Sequence, residues 1–257
     1  MLPLAVRHAI FVLGLVLVGC GDNLTRSGSG PINVVVATRQ TDWQHASNPV
    51  ARQALIDLGA ANGWSVVTTD DPAFFRQDTL HGVDVVVFSV TSGDILDEQS
   101  RGELGAFFQS GGGFVGIHSP SHTEWDWPFY MQKVVPVTFL THPYPTNVLH
   151  GQLVVEDTSD PIVGELPNPW ARADEFYTFS QRPEDIAGLH IQLALDEDHV
   201  DNYPDADRVG YHPITFTHEL TGGRSFYTAL GHTPESYSEP LFLQMIQRGI
   251  EWAAYRR

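Results

Sequence analysis

The stretch GGGFVGIHSPSHTEWDW, residues 111–127, decides the fold. Its glycines end a helix and lead into a short apolar strand, FVGIHS (114–119), which carries His118 near its polar end. A phosphate-binding loop needs its glycines between a strand and the following helix, whereas these glycines precede the strand. Because open parallel sheets bind ligands at the carboxyl ends of their strands, the stretch predicts a functional histidine at a strand end.

The segments before this stretch alternate between strand and helix patterns. Apolar runs predict strands at residues 32–39, 64–70 and 83–91. A helix is expected from Asn48, which can cap it, to Gly63, and another over residues 97–109. This alternation predicts a mostly parallel sheet with helices on both faces.

The segments after the stretch are less regular. Residues 124–135 predict a short helix, and the chain closes with an amphipathic helix from residue 239. A hairpin turn is expected at residues 221–223. Five strand-like segments complete the chain: 147–157, 174–179, 189–198, 212–220 and 224–233. Because no second linker interrupts residues 32–257, one domain is predicted there.

The charge balance of the chain excludes one class of partner. The 257 residues contain 14 Lys and Arg against 31 Asp and Glu, which gives a formal net charge of −17. An acidic surface of this kind repels phosphate backbones, so nucleic-acid binding is not expected.

The first 31 residues predict an export signal and an anchor. Residues 1–19 contain Arg7 followed by an apolar run, in the form of a signal peptide. LVGC (17–20) resembles a bacterial lipobox, which implies cleavage before Cys20, lipid attachment to its sulfur and a flexible tether over residues 20–31. A signal anchor with a chance cysteine is the alternative. By analogy with other lipoproteins, an outer-membrane position facing the periplasm is expected.

Cys20 is the one cysteine in the chain. If it carries lipid, no thiol is left for catalysis, a disulfide or metal binding.

Six motifs taken together resemble the trehalose-utilisation (ThuA-like) family, over about residues 32–254. The motifs are DWQHASNP (42–49), GGGFVGIHSPSHTEWDWPFY (111–130), THPYP (141–145), LPNPWARADEFYTF (166–179), HPITFTHELTGGRSFYTALGHTPESY (212–237) and FLQMIQRGIEWAA (242–254). The resemblance implies a class I glutamine amidotransferase-like fold, a flavodoxin-like three-layer α/β sandwich. It also implies a link to disaccharide and 3-keto-sugar metabolism.

The resemblance also defines what this chain lacks. Amidotransferases of this fold place a nucleophilic cysteine where this chain has His118, and a relay histidine that matches His232. Glu235 follows His232 at a longer spacing than is usual, which leaves its role in doubt. Because imidazole cannot replace a thiolate nucleophile without changing the reaction, cysteine-dependent amidotransferase chemistry is not expected.

The candidate site residues fall into three overlapping groups. The catalytic candidates are His118, His232, Glu175 and Glu124. The candidates for substrate binding are His45, Trp125, Trp127, Tyr177 and Tyr237. The candidates for holding a divalent metal, zinc or similar, are His118, His232 and His142.

Each candidate has a structural alternative. His118 can ligate a metal, act as acid or base, or hold a turn. The aromatic residues can stack on a sugar or belong to the core. Asp174 and Glu175 point to opposite faces of a strand, so one of them faces the site, and Glu175 is the choice. His122 follows His118 by four residues, but Pro120 lies between them and the family usually lacks a histidine there.

The function expected from these residues is carbohydrate processing. The principal hypothesis is an envelope enzyme that acts on a sugar or 3-keto-sugar glycoside through a histidine-rich, metal-assisted or acid–base site. The alternatives are a carbohydrate-binding module without activity and a scaffolding lipoprotein.

Overall fold

A computed structural model of the protein describes residues 30–76, 78–219 and 222–254. The predicted signal peptide, Cys20 and most of the predicted tether lie outside the described residues. The strands are β1 (Asn33–Ala37), β2 (Ser65–Thr69), β3 (Val85–Ser89), β4 (Gly113–Ile117), β5 (Phe139–Thr141), β6 (Val148–Val155), β7 (Trp170–Glu175), β8 (Thr178–Phe179), β9 (Leu189–Asp196), β10 (His212–Glu219) and β11 (Arg224–Thr228). The α-helices are α1 (Asn48–Asn62), α2 (Glu98–Gln109) and α3 (Pro240–Ala253).

The large sheet has two halves with different strand directions. Its order is β2-β1-β3-β4-β11-β10-β9-β6-β7. The first five strands are parallel, and each later pair, from β11–β10 to β6–β7, is antiparallel. The α/β class predicted from the alternating segments and the flavodoxin-like arrangement implied by the family resemblance are confirmed, and the antiparallel half makes the sheet mixed.

Local signals account for the helix ends. Pro49 lies in the first turn of α1, and Gly63 ends the helix in a left-handed conformation, with φ 68°. The predicted cap at Asn48 is wrong, because Ser47 occupies the cap position and the Asn48 amide donates to the Thr38 carbonyl. Asp97 caps α2 by accepting a hydrogen bond from the Ser100 amide at 2.8 Å.

Two predicted elements differ from the observed ones. The expected strand over residues 174–179 divides, because β7 ends at Glu175 and β8 pairs with β5 in a separate two-stranded sheet. The helix expected over residues 124–135 is one π-helical turn, Tyr130–Val134.

The core lies between the parallel strands and their helices. Val86, Val87 and Phe88 of β3 are fully buried, as expected for a strand covered on both faces. The helix α3 packs on β4 so closely that a Cβ on Gly113 would lie 2.4 Å from the Ala253 carbonyl oxygen. None of the helices in the described ranges is long and apolar enough to cross a membrane.

The sheet must curl to bring its distant strands together. Five strand spacings separate β4 from β7 in the sheet order, or about 24 Å if the sheet were flat. Yet the Glu175 carboxylate at the end of β7 lies 3.4 Å from the His118 ring beyond β4. The antiparallel half therefore folds back over the carboxyl ends of the parallel strands.

Candidate active site and metal centre

His118 occupies a strained position directly after β4. Its backbone has φ 66° and ψ −101°, a conformation that L-residues rarely adopt. A hydrogen bond from the His118 amide to the Thr228 carbonyl at 2.8 Å stabilises this backbone conformation. Its side chain is fully buried, and Nδ1 donates to the Ala229 carbonyl at 2.8 Å. When neutral, the ring therefore carries its proton on Nδ1, and Nε2 presents a lone pair to the site.

His232 and Glu175 meet this lone pair from two other strands. His232 Nδ1 lies 3.1 Å from His118 Nε2 and 3.0 Å from Glu175 Oε2. Glu175 Oε2 is 3.4 Å from His118 Nε2. The ends of β4, β7 and β11 thus bring three ligand-type atoms together.

Asp174 faces away from these atoms and supports the loop after β11. Its carboxylate accepts hydrogen bonds from the amides of Gly231 at 2.8 Å and His232 at 3.0 Å. It also accepts from the Arg172 guanidinium at 2.7 Å. Glu175 is therefore the carboxylate that faces the site, and Asp174 positions the backbone of His232.

His45 completes the cluster from the loop between β1 and α1. Its ring packs edge-on against His118 and His232, with centroid distances of 4.9 and 5.5 Å. Its Nδ1 accepts a hydrogen bond from the Gln40 amide nitrogen at 3.1 Å. Burial and the like charges that His118 and His232 would carry lower the pKa of His45 to about 3, so its ring is neutral near pH 7.

The charges of Glu175 and His232 are coupled. Burial opposes ionisation of Glu175, but the hydrogen bonds and the attraction that His118 and His232 supply in their charged forms outweigh it and hold the pKa of Glu175 well below its usual range. Burial likewise opposes the charged form of His232, while Glu175 outweighs it and raises the pKa of His232. These shifts favour a negative charge on Glu175 and a positive charge on His232 when no metal or ligand lies between them.

The cluster has dimensions that suit a metal ion. One ligand atom each of His45, His118, Glu175 and His232 lies within 4.8 Å of every other. In a tetrahedral zinc site with bonds near 2.0–2.1 Å, neighbouring ligand atoms are about 3.3–3.4 Å apart. The separations of 3.0, 3.1 and 3.4 Å among His118, His232 and Glu175 are close to this value. Metal binding would displace the His232 proton that faces Glu175.

His142 lies beside this group and is not one of its four members. Its Nε2 is 3.4 Å from Glu175 Oε1, the other carboxylate oxygen. Its Nδ1 donates to the Pro143 carbonyl at 2.9 Å. The structure thus places His142 on the wall next to the cluster.

A cavity of about 530 Å³ opens above the cluster. Tyr177 lies on its wall and donates a hydrogen bond from its hydroxyl to His118 Nε2 at 2.8 Å. Trp43 and Tyr144 stand at the cavity, with 64% and 83% of their surfaces exposed. No Lys or Arg of the described ranges is among the lining residues, so neither an ammonium nor a guanidinium group is available there to bind a phosphate group.

Glu124 serves a different purpose from the catalytic role expected of it. Its buried carboxylate accepts hydrogen bonds from the amides of Ile95 at 2.7 Å and Leu96 at 2.8 Å. It also accepts from Arg101 Nε at 2.5 Å, and it does not line the cavity. Burial outweighs these bonds and raises the pKa of Glu124. We assign Glu124 to holding the loop after β4 against the start of α2.

The remaining aromatic candidates do not line the cavity either. Trp127 stacks on the buried Tyr130 at a centroid distance of 5.8 Å. Tyr237 is buried and packs edge-on against Phe242. Trp125 is 42% exposed and packs against the ring of His122, which does line the cavity.

Asn147 and Gln40 are site residues that the motifs did not single out. The Asn147 amide donates to Glu175 Oε1 at 2.6 Å and lies 3.3 Å from His232 Nε2. Gln40 lies directly after β1, and ligands of open parallel sheets bind at the carboxyl ends of the strands. The sequence therefore indicated that Gln40 could lie at the site. No sequence pattern indicated Asn147 as a site residue, because an asparagine in the loop before a strand is common.

The α/β sheet is consistent with a class I glutamine amidotransferase-like fold in which a strained histidine, and no cysteine, follows β4. The chain belongs to the trehalose-utilisation family ThuA, whose model matches residues 33–253. No curated protein matches the chain.

Solved structures agree on the fold. A ThuA-like protein from Bacteroides uniformis has a TM-score of 0.71 at 17% identity, over 88% of this chain and 93% of that chain. One from Parabacteroides merdae has a TM-score of 0.68 at 21% identity, over 87% and 90%. Agd3, described as a carbohydrate deacetylase, has a TM-score of 0.54 at 14% identity, over 87% of this chain and 33% of its own. At these identities the likeness concerns the fold alone.

Proposed function

We propose that this ThuA-family protein is an enzyme that processes an uncharged sugar or 3-keto-sugar glycoside with the help of a divalent metal such as zinc. The observation that carries the proposal is the close group formed by His118 Nε2, His232 Nδ1 and Glu175 Oε2 at the base of a cavity. Three protein ligands with one open position are the usual arrangement of a catalytic zinc site.

The surroundings of the three ligands support this role. The Ala229 carbonyl fixes the tautomer of His118, as the outer partners of metal-bound histidines usually do. Asp174 holds the backbone of His232, and Asn147 holds the far oxygen of Glu175. A bound metal would polarise an oxygen of the sugar.

Two further side chains would act on the substrate directly. The neutral His45 ring lies against both ligand histidines and can contact a sugar oxygen. The Tyr177 hydroxyl would lose its His118 acceptor when a metal takes Nε2, and it would then be available as a donor to the substrate.

The cavity supports an uncharged sugar as the ligand. Its volume of about 530 Å³ is within the range of small-molecule sites. Trp43 and Tyr144 offer aromatic faces at its edge, which suit the C–H faces of sugar rings. The family's description, trehalose utilisation, also favours a carbohydrate.

The test measures metal and turnover on the same purified protein. We expect about one zinc per chain in metal-replete medium, as catalytic zinc sites hold a single ion. His118→Ala and Glu175→Gln should lose most of it, while the exposed His150→Ala should keep it. Disaccharides and their 3-keto forms are then incubated with each protein, and the products are separated by chromatography.

Each result has a defined meaning. Metal-dependent turnover that disappears in His118→Ala supports the proposal. Turnover without metal in the wild type would contradict the metal and leave acid–base catalysis by the same residues. Tight sugar binding without turnover would make the protein a binding module.

We also propose that the protein is a lipoprotein of the bacterial envelope, anchored through Cys20 in the outer membrane and facing the periplasm. The support is the order of Arg7, the apolar run and LVGC in the sequence.

A further inference from the structure

A second histidine–carboxylate pair stands at the same cavity, apart from the metal cluster. His122 Nε2 lies 2.9 Å from Asp42 Oδ2, which joins the loop after β4 to the loop after β1. Because a carboxylate accepts, Nε2 carries a proton and donates it to Asp42. Nδ1 of His122 is then the nitrogen left for other partners.

His122 is held firmly, and its free nitrogen is accessible. Its ring packs edge-on against Trp125 at 4.3 Å and Phe139 at 5.5 Å, and its carbonyl accepts from the Gly93 amide. Nδ1 has no hydrogen-bond partner among the described residues. It is also not one of the fully buried polar side-chain atoms that lack a partner there. Since His122 lines the cavity, Nδ1 is available to a ligand there.

Two aromatic side chains connect this pair to the metal cluster. Phe139 lies between His122 and Tyr177, with a centroid distance of 4.4 Å to the Tyr177 ring. Tyr177 in turn contacts His118. The cavity therefore presents two separate chemical centres to one ligand, because His122, Glu175 and His232 all line it.

We propose that His122, in its charged form with a proton on each ring nitrogen, is the general acid of the reaction, donating the Nδ1 proton to the departing glycosidic oxygen, and that Asp42 positions it. The role rests on the proposed function, because it assumes that a glycosidic bond is cut above the metal cluster. His122 is a catalytic residue in this scheme, and Asp42 is a positioning residue that acts through it.

The proton and electron balance is complete with water as the co-reactant. The glycosidic C–O bond breaks, and its electron pair remains on the departing oxygen, which takes the Nδ1 proton. The oxygen of water forms the new bond to carbon, and water releases one proton to solvent. His122 regains a proton from solvent, so each cut bond consumes one water.

The test compares two leaving groups. Methyl and p-nitrophenyl glucosides, each also as the 3-keto sugar, are given to the metal-loaded protein. A methoxide needs a proton in order to leave, whereas p-nitrophenolate leaves without one. His122→Ala should lower kcat/KM about 100-fold or more for the methyl compounds, as expected for loss of a general acid. The p-nitrophenyl compounds should lose only a few fold.

Two variants distinguish proton donation from a structural effect. Added imidazole should restore part of the activity of His122→Ala on the methyl compounds. Asp42→Asn should lower kcat with little change in KM, and Asp42→Glu should recover part of the loss. His199→Ala, which disrupts a comparable pair with Asp196 on the surface, should change neither value.

The outcomes separate the two proposals. Equal losses on both leaving groups without imidazole rescue, or no loss at all, would overturn the role of His122 while the proposed function stands. A wild type that holds metal but cuts none of these glycosides would contradict glycoside cleavage, and the role of His122 would fall with it.

Discussion

Asp174 and Glu175 show how adjacent carboxylates come to serve different purposes. Strand geometry sends them to opposite sides of β7, and what lies on each side decides the role. Glu175 meets two imidazole rings at the cavity. Asp174 meets a buried guanidinium and three backbone amides.

Asp174→Ala should destabilise the protein more than most substitutions. It removes the carboxylate beside Arg172, whose side chain is 2% exposed, and with it the acceptor of three backbone amides. Breaking a buried ion pair costs about 3–5 kcal/mol. Urea unfolding should show this loss, while the exposed Asp201→Ala should stay within about 0.5 kcal/mol of the wild type. A small effect of Asp174→Ala would show that Glu239 alone compensates Arg172.

The sequence could place His118, His232 and His45 at strand ends, because the carboxyl-end rule acts on neighbouring strands. It could not separate Glu124 from His122, which lie two residues apart in one loop. The difference arises from the backbone of Glu124, whose φ of 57° turns its side chain toward the start of α2. The backbone angle of Glu124 cannot be inferred from a single sequence.

At the scale of elements, the cap of α2 should make stability depend on acid pH. The Arg76 guanidinium and the Ser100 amide lower the pKa of Asp97 from 3.8 to about 2. A depressed pKa means that this contribution is fully present above about pH 4 and is lost as the pH falls toward 2.

Asp97→Asn keeps an acceptor for the Ser100 amide but removes the titrating group. Thermal unfolding followed between pH 5 and about 2 should show a shallower decline in the variant than in the wild type. The exposed Asp201→Asn, outside any helix, is the control. Parallel curves for the wild type and Asp97→Asn would contradict the assignment.

The close contact between α3 and β4 requires glycine at position 113, because glycine has no Cβ. Gly113→Ala would place a Cβ 2.4 Å from the Ala253 carbonyl oxygen, and backbone cannot move aside as a flexible side chain can. We expect a loss of about 1–3 kcal/mol in the free energy of unfolding.

Gly102→Ala in α2 is the matched control, because nothing lies within 4 Å of its Cβ position. Alanine is the better helix former by about 0.5–1 kcal/mol, so this variant should be slightly more stable. Denaturant unfolding of both variants measures the difference, and equal stabilities would contradict the close approach of α3.

At the scale of the whole molecule, the proposed lipid anchor predicts where the protein is found. Expressed with residues 1–31 in a bacterial host, the wild type should partition into detergent and incorporate labelled fatty acid. Cys20→Ala should lose the label and leave the membrane fraction. Labelling that survives in Cys20→Ala would contradict attachment at this sulfur.

Sequence patterns predicted the parallel half of the sheet more fully than the antiparallel half. The first four strands and two helices follow one another locally, and their apolar runs define them. The order β10-β9-β6-β7 depends on pairings between distant segments. The division of residues 174–179 between two sheets likewise arises from tertiary packing, which overrides strand propensity.

The curl of the sheet also bears on how the protein folds. Residues 45, 118, 175 and 232 come from distant parts of the chain, and such long-range contacts form slowly. A chain whose parallel half had formed alone would lack Glu175, so tight zinc uptake during refolding would report closure of the last strands. A metal that binds only the closed state at 100 times its Kd would add about 2.7 kcal/mol of stability. The concentration of free metal around the protein would then set the free energy of unfolding of the native fold.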